Sequence, residues 1–395
     1  MNVTTYREEM SRELQSILQY WMLNTPDEKQ GGFIGRIDDN DRPHPDAPKG
    51  LVLNSRILWT FSAAWRCTGQ WIYRPVATRA YEYLTAHFLD TLFGGAFWSL
   101  DATGQPLDTR KQIYGQAFTL YGLSEYYHAT GDQAVLDKAI ECYRVIERNS
   151  FDPIHKGYFE AFTRYWQPLE DQRLSEKDAN EQKTMNTHLH ILEAYTTLCR
   201  VWPDAGLRQR IGLLLDTFAT HIINPSTGHL GLFFTRDWQP GSELISYGHD
   251  IEAAWLLHEA ALVIEDQKWI DHTARLCLKI ADATLEGLDK DGGLWYEKED
   301  ALLIREKHWW PQAEAMVGFL RAWTISGEQR WWDNSTRVWN FVKQYIRQPD
   351  GKEWYWGITA DHTPMPGQDK TGFWKCPYHN SRACLEIIRT LEKNP

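Results

Sequence analysis

The sequence predicts an all-α fold in which six helical hairpins close into a double ring of inner and outer helices. Three observations lead there. Glycine-led aromatic segments recur six times at intervals of about 60 to 70 residues, the length of two helices and two connections. Between them lie twelve stretches with apolar residues spaced three and four apart, the period of a helix with one buried face. Six pairs is the number a closed double ring needs, an open solenoid of stacked helix pairs being the alternative arrangement.

In chain order, the first helix spans residues 4 to 22, where Leu14, Ile17, Leu18 and Trp21 share a face. Gly31-Gly32-Phe33 separates it from a helix over 51 to 67. Helices over 75 to 91 and 111 to 129 flank Gly94-Gly95-Ala96-Phe97-Trp98. Those over 134 to 149 and 186 to 202 flank Gly157-Tyr158-Phe159, and the second buries Ile191, Leu192, Tyr195 and Leu198. The fourth pair, 206 to 223 and 249 to 264, flanks Gly228-His229-Leu230-Gly231. Helices over 267 to 286 and 311 to 325 flank Gly292-Gly293-Leu294-Trp295-Tyr296. The last pair, 328 to 347 and 378 to 392, flanks Gly351-Lys352-Glu353-Trp354-Tyr355-Trp356. Each aromatic segment suits a short β-strand or turn between the two helices of its pair. No linker or shift in composition divides the chain, so residues 1–395 are read as one catalytic domain.

Composition narrows the function. A chain with 43% hydrophobic and 24% charged residues buries a large core and is not disordered. Its 20 Trp, 18 Tyr and 15 Phe supply rings with polar edges, which suit both a wide core and the stacking faces of sugars. A net charge of -11 without a basic run argues against nucleic acid and anionic membrane surfaces, and favours a neutral mono- or disaccharide as partner. Six scattered cysteines with no CxxC pair make a thiolate zinc site or a disulfide framework improbable. The N-terminal residues lack a signal-peptide pattern and no apolar run reaches a membrane span, so a cytoplasmic monomer or weak homodimer is expected.

The chemistry is expected where the second helix of each pair begins. These starts carry polar groups that a purely structural helix would not choose: Asn54-Ser55-Arg56, Tyr114-Gly115-Gln116, Asn186-Thr187-His188-Leu189-His190, His249-Asp250-Ile251-Glu252, Trp310-Pro311-Gln312-Ala313-Glu314 and Tyr378-His379. In a closed ring the inner helices point their N-termini to one end, so Arg56, Tyr114, Asn186, His190, His249, Glu252, Glu314 and His379 would converge in one funnel. Taken singly, Asn186 and Asp250 suit helix caps, Pro311 suits a first turn, and a lone buried His suits a core. Three histidines at repeat-equivalent starts favour function. His188 and His190 are two residues apart and leave a helix on opposite sides, so His190 should face the bore and His188 away from it. No HExxH, thiolate set, phosphate loop or dinucleotide turn accompanies them, so neither metal nor cofactor is expected.

These residues resemble those of the N-acylglucosamine 2-epimerase superfamily, most closely its cellobiose 2-epimerases, along the whole chain. The segments that carry the likeness are Leu53 to Trp59, Lys183 to His190, Tyr247 to Glu252 and Phe373 to His379. The resemblance implies an (α/α)6 barrel and epimerisation at C2 of a reducing-end glucose or mannose unit. It places Arg56, His190, His249 and His379 on the family's essential arginine and histidines. Tyr114, Asn186, Glu252, Trp310 and Trp374 fall on substrate contacts, and Asp178, in the segment from Trp166 to Asn180, on a contact to a second sugar.

Histidine suits that reaction. Inverting C2 of an aldose requires ring opening, removal of the C2 proton beside the carbonyl, and its return on the other face, and imidazole exchanges protons near neutral pH. His379 and His249 are assigned to opposite faces of C2, His190 to ring opening or O1, and Arg56 to the enediolate oxygens. Glu252 would orient His249 or a sugar hydroxyl, and the two tryptophans would stack on the sugar. Mannose 2-epimerases that act on free monosaccharides share this set and are the nearest alternative. An aldose–ketose isomerase returning the proton to C1 comes next, then an inverting glycoside hydrolase using Glu252 and Glu314, then a barrel that binds sugar without turnover.

Overall fold

The structure, a computed structural model, describes residues 1–348 and 351–393. Among these, twelve α-helices follow in order: α1 Val3–Asn24, α2 Leu51–Thr68, α3 Arg74–Tyr83, α4 Ile113–Thr130, α5 Gln133–Ser150, α6 Met185–Val201, α7 Ala205–Thr217, α8 Tyr247–Ile264, α9 Gln267–Thr284, α10 Trp309–Ser326, α11 Gln329–Phe341 and α12 Tyr378–Lys393. The even-numbered helices form the inner ring. α2 packs on α4, α4 on α6, α6 on α8, α8 on α10, α10 on α12 and α12 back on α2, so the ring closes as expected. Burial follows from that position. The outer helix α5 buries one stripe, Val135, Leu136, Ala139, Cys142, Tyr143 and Ile146, whereas α4 buries every residue from Ile113 to Tyr126.

The tight antiparallel pairs differ from those the sequence suggested. α2 packs on α3, α4 on α5, α6 on α7, α8 on α9 and α10 on α11, each pair joined by a short turn, and α1 finds its partner in α12. Gly69, Gly131 and Gly327 end α2, α4 and α10 in the left-handed conformation, at φ 68°, 70° and 72°, which reverses the chain at once. The glycine-led aromatic segments lie in the long links from an outer helix to the next inner one. Residues just after these segments and just before the inner helices form a belt of two-residue antiparallel pairings, Lys49–Gly50 with Ser99–Leu100, Lys111–Gln112 with Ala161–Phe162, Lys183–Thr184 with Phe233–Phe234, and Lys307–His308 with Gly357–Ile358. Ile245–Ser246 joins a longer hairpin, Glu297–Glu299 with Leu302–Ile304.

Buried charge pairs tie this belt to the helices. Lys49, Lys111, Lys183, Lys307 and Lys375 precede five inner helices and meet Asp27, Asp90, Asp152, Asp289 and Glu353 at 2.8, 3.0, 3.1, 2.7 and 3.0 Å. The repeat before α8 has Ile245 and Asn224 in these places, so both charges are absent together and neither is left unpaired. Asn224 still closes its turn by accepting from Ser226 N at 2.9 Å. No helix of the described residues is long and apolar enough to cross a membrane.

Candidate active site

The inner-helix N-termini surround a cavity of about 510 Å³ at the belted end of the ring. Its lining includes ten of the eleven residues singled out from the sequence: Arg56, Tyr114, Asp178, Asn186, His190, His249, Glu252, Trp310, Trp374 and His379; Glu314, expected there too, lies behind His379 and does not reach the cavity. Helical geometry sorts them into two layers. Tyr114, Asn186, Trp310 and His379 are the second residues of their helices and His249 the third, so they ring the mouth. Arg56, His190 and Glu252 are sixth residues, one turn deeper, in a column that continues through Phe118 and Glu314, also sixth residues, and ends at Arg382, the fifth residue of α12. The histidines therefore occupy two depths rather than one repeat position.

The fourth residues point the other way and act as staples. Gln116 accepts from Ala96 N at 2.7 Å and donates to Ala96 O at 2.9 Å, and Gln312 does the same to Leu294 at 2.7 and 2.8 Å. Asp250 accepts from Leu230 N at 2.9 Å and pairs with His229 at 2.7 Å. His188 belongs to this set: Nδ1 donates to Thr184 O at 2.6 Å and Nε2 accepts from Tyr158 N at 2.8 Å. It faces away from the cavity while His190 lines it, as two residues of helical rotation require.

Each of the three histidines expected from the sequence is oriented through Nδ1, and the partners differ; a fourth on the cavity wall, His308, is held instead through Nε2 by Glu306 at 2.9 Å. His190 bonds Glu193 at 2.9 Å, His379 bonds Glu314 at 2.6 Å, and His249 bonds the Ser246 hydroxyl at 2.8 Å. Ser246, and not Glu252, is thus the protein group that orients His249. Trp310 packs against both His249 and His379, its ring centroid 4.6 and 5.6 Å from theirs. Burial lowers all three histidines, His249 to about 3, although Glu193 pulls His190 the opposite way. All three are neutral at pH 7, and a carboxylate on Nδ1 leaves the Nε2 lone pair of His190 and His379 as the basic atom.

Beneath the histidines lies a charge network that the sequence reading missed. Arg382, 1% exposed, meets Glu252 at 2.5 Å, Glu314 at 2.7 Å and Glu193, and Tyr378 also donates to Glu193. Trp255 Nε1 donates to Glu314 at 3.0 Å. Burial pushes Glu193 up, but Arg382 and His190 outweigh it and hold it at about 2. Burial raises Glu252 and Glu314, each helped by a neighbouring carboxylate and opposed by Arg382. A readable signal for Arg382 existed in the repeat, because Arg56, His190, Glu314 and Arg382 each stand seven residues after a lysine, Lys49, Lys183, Lys307 and Lys375.

Two chemistries are disfavoured by this arrangement. Glu252, Glu314 and His379 bring ligand atoms within 4.8 Å of one another, near enough for a metal ion, yet the Arg382 guanidinium already sits against both carboxylates as their cation. The same closeness falls short of the roughly 6.5 to 9.5 Å that separates the carboxyl groups of an inverting glycosidase.

Arg56 is the second fixed cation. It donates to Tyr114 Oη at 2.7 Å and lies over Phe118 and Tyr378 at 4.2 and 4.8 Å, so aromatic faces hold it without a carboxylate to neutralise it. Asn186 Oδ1 is buried with no protein partner. Of the segment from Trp166 to Asn180, residues 172 to 179 line the cavity, whereas Trp166 anchors the segment by donating to Phe93 O at 2.7 Å. Asp178 Oδ2 accepts from Ser175 N at 2.9 Å, and burial raises its carboxyl above the ordinary value.

Known proteins resemble this sequence and share this fold. The profile of the N-acylglucosamine 2-epimerase (GlcNAc 2-epimerase) family matches residues 32–383. The cellobiose 2-epimerase of Bacteroides fragilis is 48% identical over 385 residues, 97% of this chain and 98% of that one. That of Dictyoglomus turgidum is 39% identical, with 99% and 100% covered. The solved structure of cellobiose 2-epimerase from Bacillus thermoamylovorans superposes with a TM-score of 0.93 at 39% identity, over 98% of this chain and 99% of that one.

Proposed function

Because the chain belongs to the N-acylglucosamine 2-epimerase family, we propose that it is a carbohydrate 2-epimerase, an isomerase, that interconverts glucose and mannose configuration at the reducing end of cellobiose. The observation that carries this is the convergence of three neutral histidines and one uncompensated arginine on a cavity walled by Tyr114, Trp310 and Trp374. A disaccharide fits a cavity of about 510 Å³, inside the roughly 300 to 1,000 Å³ of small-molecule sites.

The roles follow from the anchoring. His190, one turn below the mouth, assists ring opening at the anomeric oxygens. His379, with Nδ1–H bound to Glu314, offers Nε2 to the C2 proton on one face. The electron pair of the broken C2–H bond moves into C1=C2 and the carbonyl π pair onto O1, giving a cis-enediolate. Arg56 stabilises its oxygens. His249 exchanges the proton on the other face, and the reverse reaction exchanges the two roles. Trp310 and Trp374 stack on the sugar, Tyr114, Asn186 and Glu252 meet its hydroxyls, and Asp178 meets the second ring.

The test is incubation of the pure protein with cellobiose and, separately, with mannose in deuterated water. The 2-epimer should form faster from cellobiose and carry deuterium at C2, with none at C1. Label at C1 would make it an aldose–ketose isomerase, a faster rate on mannose would make it a mannose 2-epimerase, and release of glucose would make it a hydrolase.

A further inference from the structure

We infer that Arg382 is a positioning residue for this reaction, one cation that fixes the ring orientation and tautomer of both His190 and His379 through the carboxylates it holds. The inference rests on the epimerase reading. Its basis is connectivity: one buried guanidinium touches Glu193 and Glu314, and those two carboxylates hold Nδ1 of His190 and His379 at 2.9 and 2.6 Å. The guanidinium is itself immobilised between the rings of Tyr378 and Trp255, at 4.3 and 4.9 Å. Arg382 does not line the cavity, so its effect reaches the sugar only through other side chains.

The physical argument concerns which partner owns the proton. An ionised carboxylate accepts from Nδ1–H and leaves Nε2 free to take a proton. A protonated carboxyl donates to Nδ1 instead, which puts the hydrogen on Nε2 and removes the base. Around Arg382 and the two rings stand Arg56 of α2, Tyr121 of α4, Glu252 of α8 and Tyr378 of α12, and three carboxylates, Glu193, Glu252 and Glu314, share the one guanidinium of Arg382 in a dry site. Burial alone would protonate those carboxylates, and Arg382 opposes it at each of them. Lysine at this position would keep the charge but lacks the planar fork that reaches several carboxylates at once.

The test combines a measurement on the native enzyme with two variants. In ¹⁵N spectra of the wild-type protein at pH 7.5, His190 and His379 should be neutral with the hydrogen on Nδ1. Arg382→Met should lower kcat roughly 10²- to 10⁴-fold, as loss of a histidine's carboxylate partner does, with KM changed by less than about threefold. Its acid limb in the kcat–pH profile should move to higher pH, and Arg382→Lys should return that limb toward wild type while recovering only part of kcat. Hydrogen on Nε2 of both rings in the wild type, or an Arg382→Met enzyme within threefold of wild-type kcat and with an unmoved limb, overturns the inference. If Arg382→Met does not fold, the wild-type spectra decide alone. A wild type inactive on cellobiose and mannose would defeat the epimerase reading and leave the tautomer result standing; an active wild type with Nε2–H would defeat only the positioning role.

Discussion

His379 and His249 share the Trp310 face yet are anchored by opposite chemistry. His379 is tied at 2.6 Å to a glutamate that Arg382 also grips, whereas His249 is tied at 2.8 Å to the hydroxyl of Ser246, in the residue just before α8. A carboxylate fixes one tautomer and strengthens the ring as a base. A hydroxyl either donates or accepts, so it orients the ring and leaves its proton assignment free. The wall built by α10 and α12 is thus electrostatically committed and the α8 wall adaptable, which suits a reaction that delivers a proton to either face of C2.

The largest effect should come from deleting either ring. His379→Ala and His249→Ala should each reduce epimerisation by roughly 10³-fold or more with the fold intact by circular dichroism. Activity above a few per cent in either variant would remove that residue from proton transfer. The anchors separate the two walls more sharply. Glu314→Gln should lower kcat about 10²-fold or more, while Ser246→Ala should lower it less than about tenfold. Equal losses would break the comparison.

The segment that carries Asp178 should respond differently from both walls. If Asp178 binds the second sugar, Asp178→Ala should lower kcat/KM on cellobiose by roughly 10- to 150-fold, the worth of a charge-assisted hydrogen bond, and change mannose use little. Parallel losses on the two sugars would assign this segment a structural role. Stability offers a smaller effect. Burial depresses His249 and His188 to about 3, so the unfolded chain takes up protons below pH 6.5 that the folded chain refuses. Stability should therefore fall as pH drops from about 6.5 toward 3, read as a declining midpoint of thermal unfolding, and His188→Gln should flatten that decline. A midpoint constant across this window would contradict the neutral buried state of these rings. The smallest effect expected is none: EDTA should leave the rate unchanged, and loss restored by one divalent ion would place a metal at Glu252, Glu314 and His379.

Much of this was legible in the residues. The six-fold spacing of glycine and aromatic residues, and the three-and-four spacing between them, set the number and kind of elements. Rotation of about 100° per residue separates His188 from His190 before any partner is known. The same repeat carries the Lys–Asp staples and their joint loss at Ile245 and Asn224, a pattern visible in the sequence and recognisable once Lys49 and Asp27 are seen to touch. Less legible was the partnering of helices. Short turns, and not the aromatic segments, make the tight pairs, and α1 pairs with α12 from the far end of the chain.

The sequence by itself determined twelve helices in six repeats, the polar helix starts, and the side of each helix that carries them. Only the tertiary structure decided that Arg382 reaches Glu193, Glu252 and Glu314, residues 189, 130 and 68 positions away, and that Ser246 rather than Glu252 holds His249. The reason is that periodicity is an angular property of one helix, written in its own residues. Which side chains meet across the bore depends on how far each helix slides and turns when the ring closes, and that is set by the packing of all six inner helices together.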